Sequence, residues 1–258
     1  MDGTFVLNLN VSLRTSGGNG SPTRELINSL YDEMFLRPCR GKNVRIARIC
    51  VMDERGNVHD CVDIRPEDWT DIQTGSELET GIRVSKTFRA SRDVVVNRLA
   101  VFNSENRLMF VTPTATRILL SGHTYTIAWS LIVAASFKAT IKAASNVYEF
   151  RVDPYWLNRG LLNVVIRRIA GLPDGRVLCL SHIDYYDKGW VIVNPLLATS
   201  REDRRAWHDP VNLTGNNDLY AIGVLAAGYT RLFVLWPDSP IRLNRNDRIA
   251  SSFSFTIS

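Results

Sequence analysis

Lysine is scarce in this 258-residue chain, although lysine and arginine together number 31. Five of these cations are lysines and the other 26 are arginines. Arginine carries a rigid, weakly hydrated fork that suits carboxylates, phosphates and desolvated interfaces, whereas lysine is a strongly hydrated point charge. The bias indicates either a surface that makes contacts through arginine or a bias of composition alone. Because 26 acids accompany the cations and the net charge is +5, we expect a mixed surface rather than a strong basic field.

Motifs for catalysis and for metal binding are missing as well. The four cysteines include no Cys-x-x-Cys, which argues against a zinc knuckle. The sequence has no Gly-x-Ser-x-Gly elbow, and the glycine-rich residues 17–20 lack the lysine of a phosphate-binding loop. We therefore expect a protein that is not an enzyme, with no catalytic residues, no metal site and no cofactor.

Two histidines stand next to acids and are the remaining candidates for chemistry. His182 and Asp184 would share one face of a strand, but a zinc site needs at least one more protein ligand. His208 precedes Asp209 and has the form of a general base, but no nucleophile or oxyanion site accompanies it. Both histidines are therefore interpreted as surface residues.

The chain also has no hydrophobic run long enough to span a bilayer. The longest, at about residues 127–135, falls well short of the roughly 20 residues that a membrane helix requires. The first residues do not form a signal peptide, so we expect reduced thiols. A first hairpin centred on Arg55 and Gly56 would place Cys50 opposite Cys61 as a hydrogen-bonded pair, whose geometry disfavours a disulfide.

Two short patterns occur twice in the sequence. Residues 43–49 and 163–169 share Asn-Val-x-Ile-x-Arg-Ile, and residues 107–111 are echoed by residues 231–234. The separations are 120 and 124 residues, close to half the chain. They predict an internal duplication with a first β-sandwich over residues 1–145 and a second over residues 146–258.

Alternation of apolar and polar residues, with frequent turn signals, predicts an all-β fold of about eight short strands in each half. One short helix is expected near residues 22–36, because Ser21 can cap it and Pro22 fits its first position. In the second half, residues 161–169 are predicted as a strand, and a long polar loop is predicted near residues 194–217. Such domains are commonly Greek-key or jelly-roll sandwiches.

The strand–turn–strand pattern at residues 116–124 recurs at residues 241–249. This ending resembles the close of many jelly-roll domains, including those of viral capsid proteins and tumour-necrosis-factor-like folds. The resemblance covers about twenty residues in each half. It implies two tandem jelly-roll-like β-sandwiches that build a viral particle.

Arginine patches and an exposed tryptophan are the candidate contact residues. Arginine and tryptophan anchor many interfaces, and arginine can also contact phosphates in a salt-sensitive way. For an interface or for nucleic acid, the candidates are Arg37, Arg40, Lys42, Arg201, Arg204, Arg205, Trp207, Arg242, Arg245 and Arg248.

The leading hypothesis is a capsid or shell protein that acts by self-assembly. Its expected partners are other copies of itself and other capsid proteins, with weak contact to the genome. It would reside in the virion, and in the host cytoplasm during assembly. One alternative is a viral matrix protein that binds anionic membrane, which the pI of about 9.2 allows. The other is a receptor- or glycan-binding β-sandwich protein that acts through Trp207 or the Tyr185–Tyr186 loop with Asp184 and Asp187.

Overall fold

The chain is built mainly from β-strands. In a computed structural model, strands hold 59% of the residues and helices 15%, which confirms the all-β class. The described part of the chain comprises residues 2–15, 20–35, 39–143, 145–187, 191–193, 198–200, 205–212, 217–228, 230–244 and 247–258.

The first half carries a single α-helix among its described elements, within the range predicted for the helix. The elements of this half are β1 (Asp2–Thr15), β2 (Ser21–Pro22), α1 (Arg24–Phe35), β3 (Ile46–Met52), β4 (Val58–Asp63), a 3-10 turn (Pro66–Asp68), β5 (Thr70–Ile72), β6 (Glu79–Arg89), β7 (Val94–Asn103), β8 (Leu108–Leu119) and β9 (Thr124–Ala143).

The second half also places helical structure after its first strand. Its elements are β10 (Asn146–Val152), α2 (Pro154–Leu157), a π-helical turn (Asn158–Leu162), α3 (Asn163–Ala170), β11 (Leu180–Tyr186), β12 (Val191–Val193), β13 (Ala198–Ser200), β14 (Arg205–Asn212), β15 (Asn217–Leu219), β16 (Ala221–Ala226), β17 (Thr230–Pro237), β18 (Ile241–Leu243) and β19 (Arg248–Ile257).

One large sheet contains strands of both halves, in the order β12-β11-β16-β17-β10-β9-β1-β19-β14-β13. Strand β6 pairs with β9 as well, and β5 pairs with β6. At its centre β1 is antiparallel to β9 and parallel to β19. The inward side chains of β1, such as Phe5, Leu7 and Leu9, are buried on one face. Strand β10 continues the sheet directly from β9, across the predicted boundary at residue 145.

A five-stranded sheet in the first half has the order β4-β3-β7-β8-β2. The same relative order occurs in the large sheet as β12-β11-β16-β17-β10, with helical structure after the first strand in both cases. The second sequence echo fits this correspondence. Phe110 lies in β8, the second strand of the β7–β8 hairpin, and Phe233 lies in β17, the second strand of the β16–β17 hairpin.

The first sequence echo does not fit it, and the prediction of a strand over residues 161–169 is wrong. Residues 46–49 lie in strand β3, whereas residues 163–169 lie in helix α3. The side chain of Asp153 caps α2, Pro154 follows it, and Gly171 ends α3 at a φ of 71°. The β-branched run at residues 164–166 indicated a strand, but these start and stop signals together with tertiary packing override that propensity.

The predicted long loop near residues 194–217 is also corrected, since it contains β13 and β14. Strand β14 pairs with β19, where Trp207 lies opposite Ser252. Polar strands near the end of a sheet have little local signal, because the order of β14 comes from hydrogen bonds to a strand about 45 residues further along the chain.

The helices pack across the two halves. Ile257 of β19 donates its backbone N–H to the hydroxyl of Tyr31 in α1, at 2.7 Å. Asn158, before α3, donates from Nδ2 to the carbonyl of Glu79 in β6, at 3.0 Å. Each half therefore covers part of the core of the other, and the hydrophobic core runs through both.

An ion pair and a disulfide add to this connection. Glu33 of α1 is fully buried, and its Oε1 accepts a hydrogen bond from Nη2 of Arg168 in α3 at 2.7 Å. Cys39, between α1 and β3, is bonded to Cys179, just before β11. The ion pair joins the two helices, and the disulfide joins the segments that follow them.

Cys50 lies opposite Cys61 as predicted, but the expectation of reduced thiols is wrong because this pair is a disulfide too. The turn has Gly56 at a φ of 86°, and the register shifts between Cys50 and Met52. Because of this shift, residues 59 and 60 of β4 lie opposite Val51 alone. This one extra residue in β4 moves the cysteines out of the hydrogen-bonded position that the sequence predicted. Their Cα atoms lie 4.0 Å apart, as in a close non-hydrogen-bonded pair.

Candidate functional site

An aromatic pocket opens on one face of the β11-β16-β17 part of the large sheet, beside α2. Its volume is about 360 Å³, within the roughly 300–1,000 Å³ that is usual for small-molecule sites. It is lined by Trp156, Tyr186, Asp187, Tyr220, Ala221, Arg231, Val234 and Trp236. We call this the aromatic pocket.

Small residues on β16 make room for the rings. Gly223 pairs with Asp184, and Ala221 pairs with Tyr186. A Cβ atom at Gly223 would lie 2.9 Å from Cε2 of Tyr186, so the ring of Tyr186 lies against the bare backbone of Gly223. The sheet therefore has a shallow depression at this point, bounded by aromatic side chains.

Asp153 positions both tryptophans of the pocket. Its Oδ1 accepts hydrogen bonds from the backbone N–H groups of Tyr155 and Trp156, at 3.0 and 3.3 Å, and so begins α2. Its Oδ2 accepts a hydrogen bond from Nε1 of Trp236 at 3.3 Å. The indole of Trp236 is tethered at its nitrogen, while 38% of the residue stays exposed.

Arg231 lies between two of the aromatic rings. Its Cζ atom is 4.9 Å from the centroid of the Trp156 ring and 5.7 Å from that of Tyr186. Its buried Nε has no hydrogen-bond partner in the described part of the chain. Cation–π attraction to two rings offsets part of the cost of burying this guanidinium, and it places a positive charge in the pocket wall.

A buried carboxyl group lies behind Tyr186. The Tyr186 hydroxyl donates a hydrogen bond to Oδ2 of Asp184 at 2.8 Å, and Asp184 is 4% exposed. Burial raises the pKa of Asp184, and this hydrogen bond offsets part of the increase. The pKa of Tyr186 is raised by burial and by the bond to Asp184. The Tyr186 hydroxyl therefore stays protonated at neutral pH, and its ring is held in one orientation.

The Tyr185–Tyr186 loop with Asp184 and Asp187 is a candidate for glycan binding from the sequence. In the structure its residues have different roles. Tyr186 and Asp187 line the aromatic pocket. Tyr185 is fully buried with its hydroxyl bonded to Ser251, and burial raises its pKa. Tyr185 is therefore a core residue.

None of the predicted arginine and tryptophan contacts whose side chains the structure describes lines this pocket. Arg37, Arg201, Arg204 and Arg245 lie outside the described residues, and of Arg205 only its place in β14 is described.

Lys42 has a structural role that its sequence position did not indicate. Its Nζ lies 3.5 Å from Oδ2 of Asp32, its backbone N–H donates to Glu33, and its carbonyl accepts from Arg168. Arg40 nearby is exposed.

The remaining predicted contacts lie on three strands. Trp207 of β14 is 39% exposed, and Arg248, the first residue of β19, lies opposite Asn212 at the far end of that pairing. Arg242 of β18 is exposed and pairs with Asp218 at 3.3 Å. Their role in assembly or nucleic-acid contact stays a prediction.

The histidines take different positions. His182 lies in β11 with its Nδ1 2.6 Å from the hydroxyl of Ser181. His59 lies between Oδ2 of Asp53 at 3.1 Å and Nη2 of Arg92 at 2.6 Å. No group of three potential ligands for a metal occurs among the residues that the structure describes. In the same residues, no helix combines the length and the apolar character needed to cross a bilayer.

Sequence reasoning missed Trp156, Tyr220, Arg231 and Trp236 as parts of one site. These residues are far apart in the sequence, so the pocket is not visible there. Strand β17 lies near β11 because both pair with β16, and it lies near α2 because it pairs with β10, the strand that precedes α2. The available signal was an unusual number of aromatic residues near the ends of elements in the second half, together with the capping residue Asp153. No family model, curated protein or solved structure matches this chain, so its function must be argued from the geometry of the pocket.

Proposed function

We propose that this protein binds a saccharide in the aromatic pocket, as a receptor- or glycan-binding β protein. The observation that carries the proposal is the arrangement of Trp156, Tyr186, Tyr220 and Trp236 around one depression, with Arg231 in its wall. One face of a pyranose ring presents polarised C–H groups, and the electron-rich face of an aromatic ring attracts them.

Polar groups at the pocket complete the chemistry that a sugar needs. A hydroxyl group both donates and accepts hydrogen bonds, so it can meet a guanidinium and a carboxylate. Arg231 supplies the donor and Asp187 the acceptor, while the rings exclude water from the apolar face. A rigid, tethered Trp236 reduces the conformational entropy lost when the ligand binds.

The test is a glycan array with the full chain, followed by calorimetric titration of the best binder. Trp236→Ala should weaken binding at least tenfold, or about 1.4 kcal/mol. Trp207→Ala is the matched control, because Trp207 has nearly the same exposure, 39% against 38%, and lies outside the pocket. Equal loss in both variants, or preferential binding of proline-rich peptides, would contradict the proposal.

A second candidate is the role in a viral particle, as a capsid or shell protein. It is supported by an apolar patch on β7 and β8, formed by Val95 and Ile118 with nearby Leu120. Val95 and Ile118 are cross-strand neighbours, 52% and 66% exposed, and Leu120 is 45% exposed. Adjacent exposed aliphatic residues mark contact sites more often than single ones do.

Self-association through this patch can be measured directly. Light scattering and electron microscopy of the full chain should show assemblies that Ile118→Lys disperses, while Val58→Lys, at a separate exposed valine, leaves them intact. Salt-sensitive binding to anionic liposomes without self-association would favour the matrix alternative instead.

We also infer that the chain arose by duplication of one β unit, with β3 equivalent to β11, β7 to β16 and β8 to β17. The shared strand order and the second sequence echo support this alignment. It replaces the equivalence of residues 43–49 with residues 163–169.

A further inference from the structure

A second cleft lies in the first half, where the five-stranded sheet separates from β6 and β9. Its volume is about 290 Å³. The floor is apolar and buried, with Val96 at 4%, Leu119 at 2% and Ile127 at 4% exposure. Phe88 and Tyr125 form one wall, with ring centroids 5.9 Å apart. We call this the arginine cleft, for the two cations at its edge.

Arg98 and Arg117 both line this cleft. Arg117 lies opposite Val96 in the β7–β8 pairing, and Arg98 follows Val96 after a register shift. Val96 and Arg98 lie two residues apart in β7, so their side chains are on the same face of the strand. The register shift between them comes from β8, where residues 114–116 lie opposite Asn97 alone. Neither guanidinium forms an ion pair or hydrogen bond with any side chain or carbonyl among the described residues.

The cleft thus combines an apolar floor with two cations at its edge, of which Arg98 is half-buried and Arg117 is exposed. Arginine binds a carboxylate through two parallel hydrogen bonds, and two arginines that line one cleft can supply such donors to an anionic head group. The volume of about 290 Å³ lies at the lower end of the roughly 300–1,000 Å³ that is usual for small-molecule sites, so the cleft suits a small ligand.

We propose that the arginine cleft binds a medium-chain fatty acid or a similar apolar carboxylate. The chain lies on Val96, Leu119 and Ile127, and the carboxylate lies between Arg98 and Arg117. This site is separate from the aromatic pocket, and its occupation does not depend on saccharide binding.

The test titrates the full chain with octanoate, octanol and octylammonium, which share one chain length and differ in head-group charge. Octanoate should bind with one equivalent and at least tenfold more tightly than the other two. The variant Arg98→Gln/Arg117→Gln should lose at least tenfold in affinity for octanoate, and Arg55→Gln/Arg83→Gln, which alters two exposed arginines elsewhere, should bind like the unchanged protein.

Octyl phosphate distinguishes a carboxylate site from a general anion site, because arginine binds both head groups. Binding of octyl phosphate as tight as that of octanoate, or tighter, would assign the cleft to anions in general and overturn the carboxylate proposal. Ala115→Phe keeps both arginines and fills the cleft, so it should abolish binding while circular dichroism shows an intact fold. Equal affinity for the three head groups, unsaturable uptake, or full binding by the double arginine variant would overturn the proposal.

Discussion

Gly223 shows how one missing side chain shapes the aromatic pocket. A methyl group at this position would lie 2.9 Å from the ring of Tyr186, closer than Cβ atoms normally approach another group. We therefore expect Gly223→Ala to push the Tyr186 ring into the pocket and to weaken saccharide binding at least tenfold. Overpacking should also lower the free energy of unfolding by about 1–2 kcal/mol.

Gly75→Ala is the control for this substitution, because nothing lies within 4 Å of its Cβ position. Calorimetric titration and urea unfolding of both variants provide the comparison. Undiminished binding by Gly223→Ala would show that the orientation of Tyr186 does not matter for the ligand.

Asp53 gives the first hairpin a dependence on pH. Mainly through the hydrogen bond from the Asn57 side chain, its pKa falls from the ordinary value of 3.8 to about 2. A pKa that is lower in the folded state means that stability is present above about pH 4 and is lost as the pH falls towards 2. Asp53→Asn should therefore be less stable than the unchanged protein at pH 7, and the difference should shrink between pH 4 and pH 2.

Chemical unfolding at several pH values measures this difference. The exposed residue Asp71 of β5 provides the control, because Asp71→Asn leaves the hairpin contacts intact. A stability difference that stays constant from pH 7 to pH 2 would assign the effect of Asp53→Asn to packing rather than to charge.

Among contacts between elements, the Glu33–Arg168 pair should contribute most where α1 meets α3. Glu33 is fully buried, so Arg168→Met leaves a carboxylate in the interior without its cation. Removal of one partner of a buried pair typically costs about 3–5 kcal/mol of stability. We expect a loss near the lower end, because Arg168 is 21% exposed.

The neighbouring residue Arg167 is a matched control, since it pairs with Asp174 at the surface, where Asp174 is 59% exposed. Arg167→Met should cost less than about 1 kcal/mol. Adding Glu33→Gln to Arg168→Met should restore part of the lost stability, as urea unfolding of the double variant would show. No recovery would mean that Arg168 acts through packing and its bond to the carbonyl of Lys42.

Sequence patterns predicted those elements whose order is local. The alternation in β1 pointed to a strand with one buried face. A helix near residues 22–36 was expected, but its predicted start is wrong: Ser21 and Pro22 form β2, α1 begins at Arg24, and Oγ1 of Thr23 accepts a hydrogen bond from the N–H of Leu26. Cys50 does lie opposite Cys61 as predicted, but this pairing depends on a register shift between Cys50 and Met52 that the expected turn did not include.

The helix at residues 163–170 was missed because its β-branched residues favour strands. Its packing against the sheet depends on the close approach of Gly160 to β17, where a Cβ atom would lie 2.2 Å from the carbonyl oxygen of Leu232.

At the scale of the molecule, pairing between distant strands could not be derived from the sequence. The aromatic pocket needs Tyr186 of β11 near Arg231 and Trp236 of β17, and only the large sheet brings these two strands to either side of β16. The same holds for β1, whose alternation predicts a half-buried strand but not its two neighbours from opposite halves. Periodicity identifies which face of a strand is buried. Hydrogen bonds between distant strands decide which neighbours that strand has in the sheet.

Because β1 lies between β9 and β19, and the helices pack across the halves, we expect the whole chain to unfold in one cooperative transition. Calorimetry with the disulfides intact should give equal calorimetric and van 't Hoff enthalpies. Hydrogen exchange under increasing denaturant should release the amides of β3 and β7 together with those of β11 and β16. If the first group opened while the second stayed protected, the two-domain division at residue 145 would hold and the shared sheet would be only a weak interface between independent units.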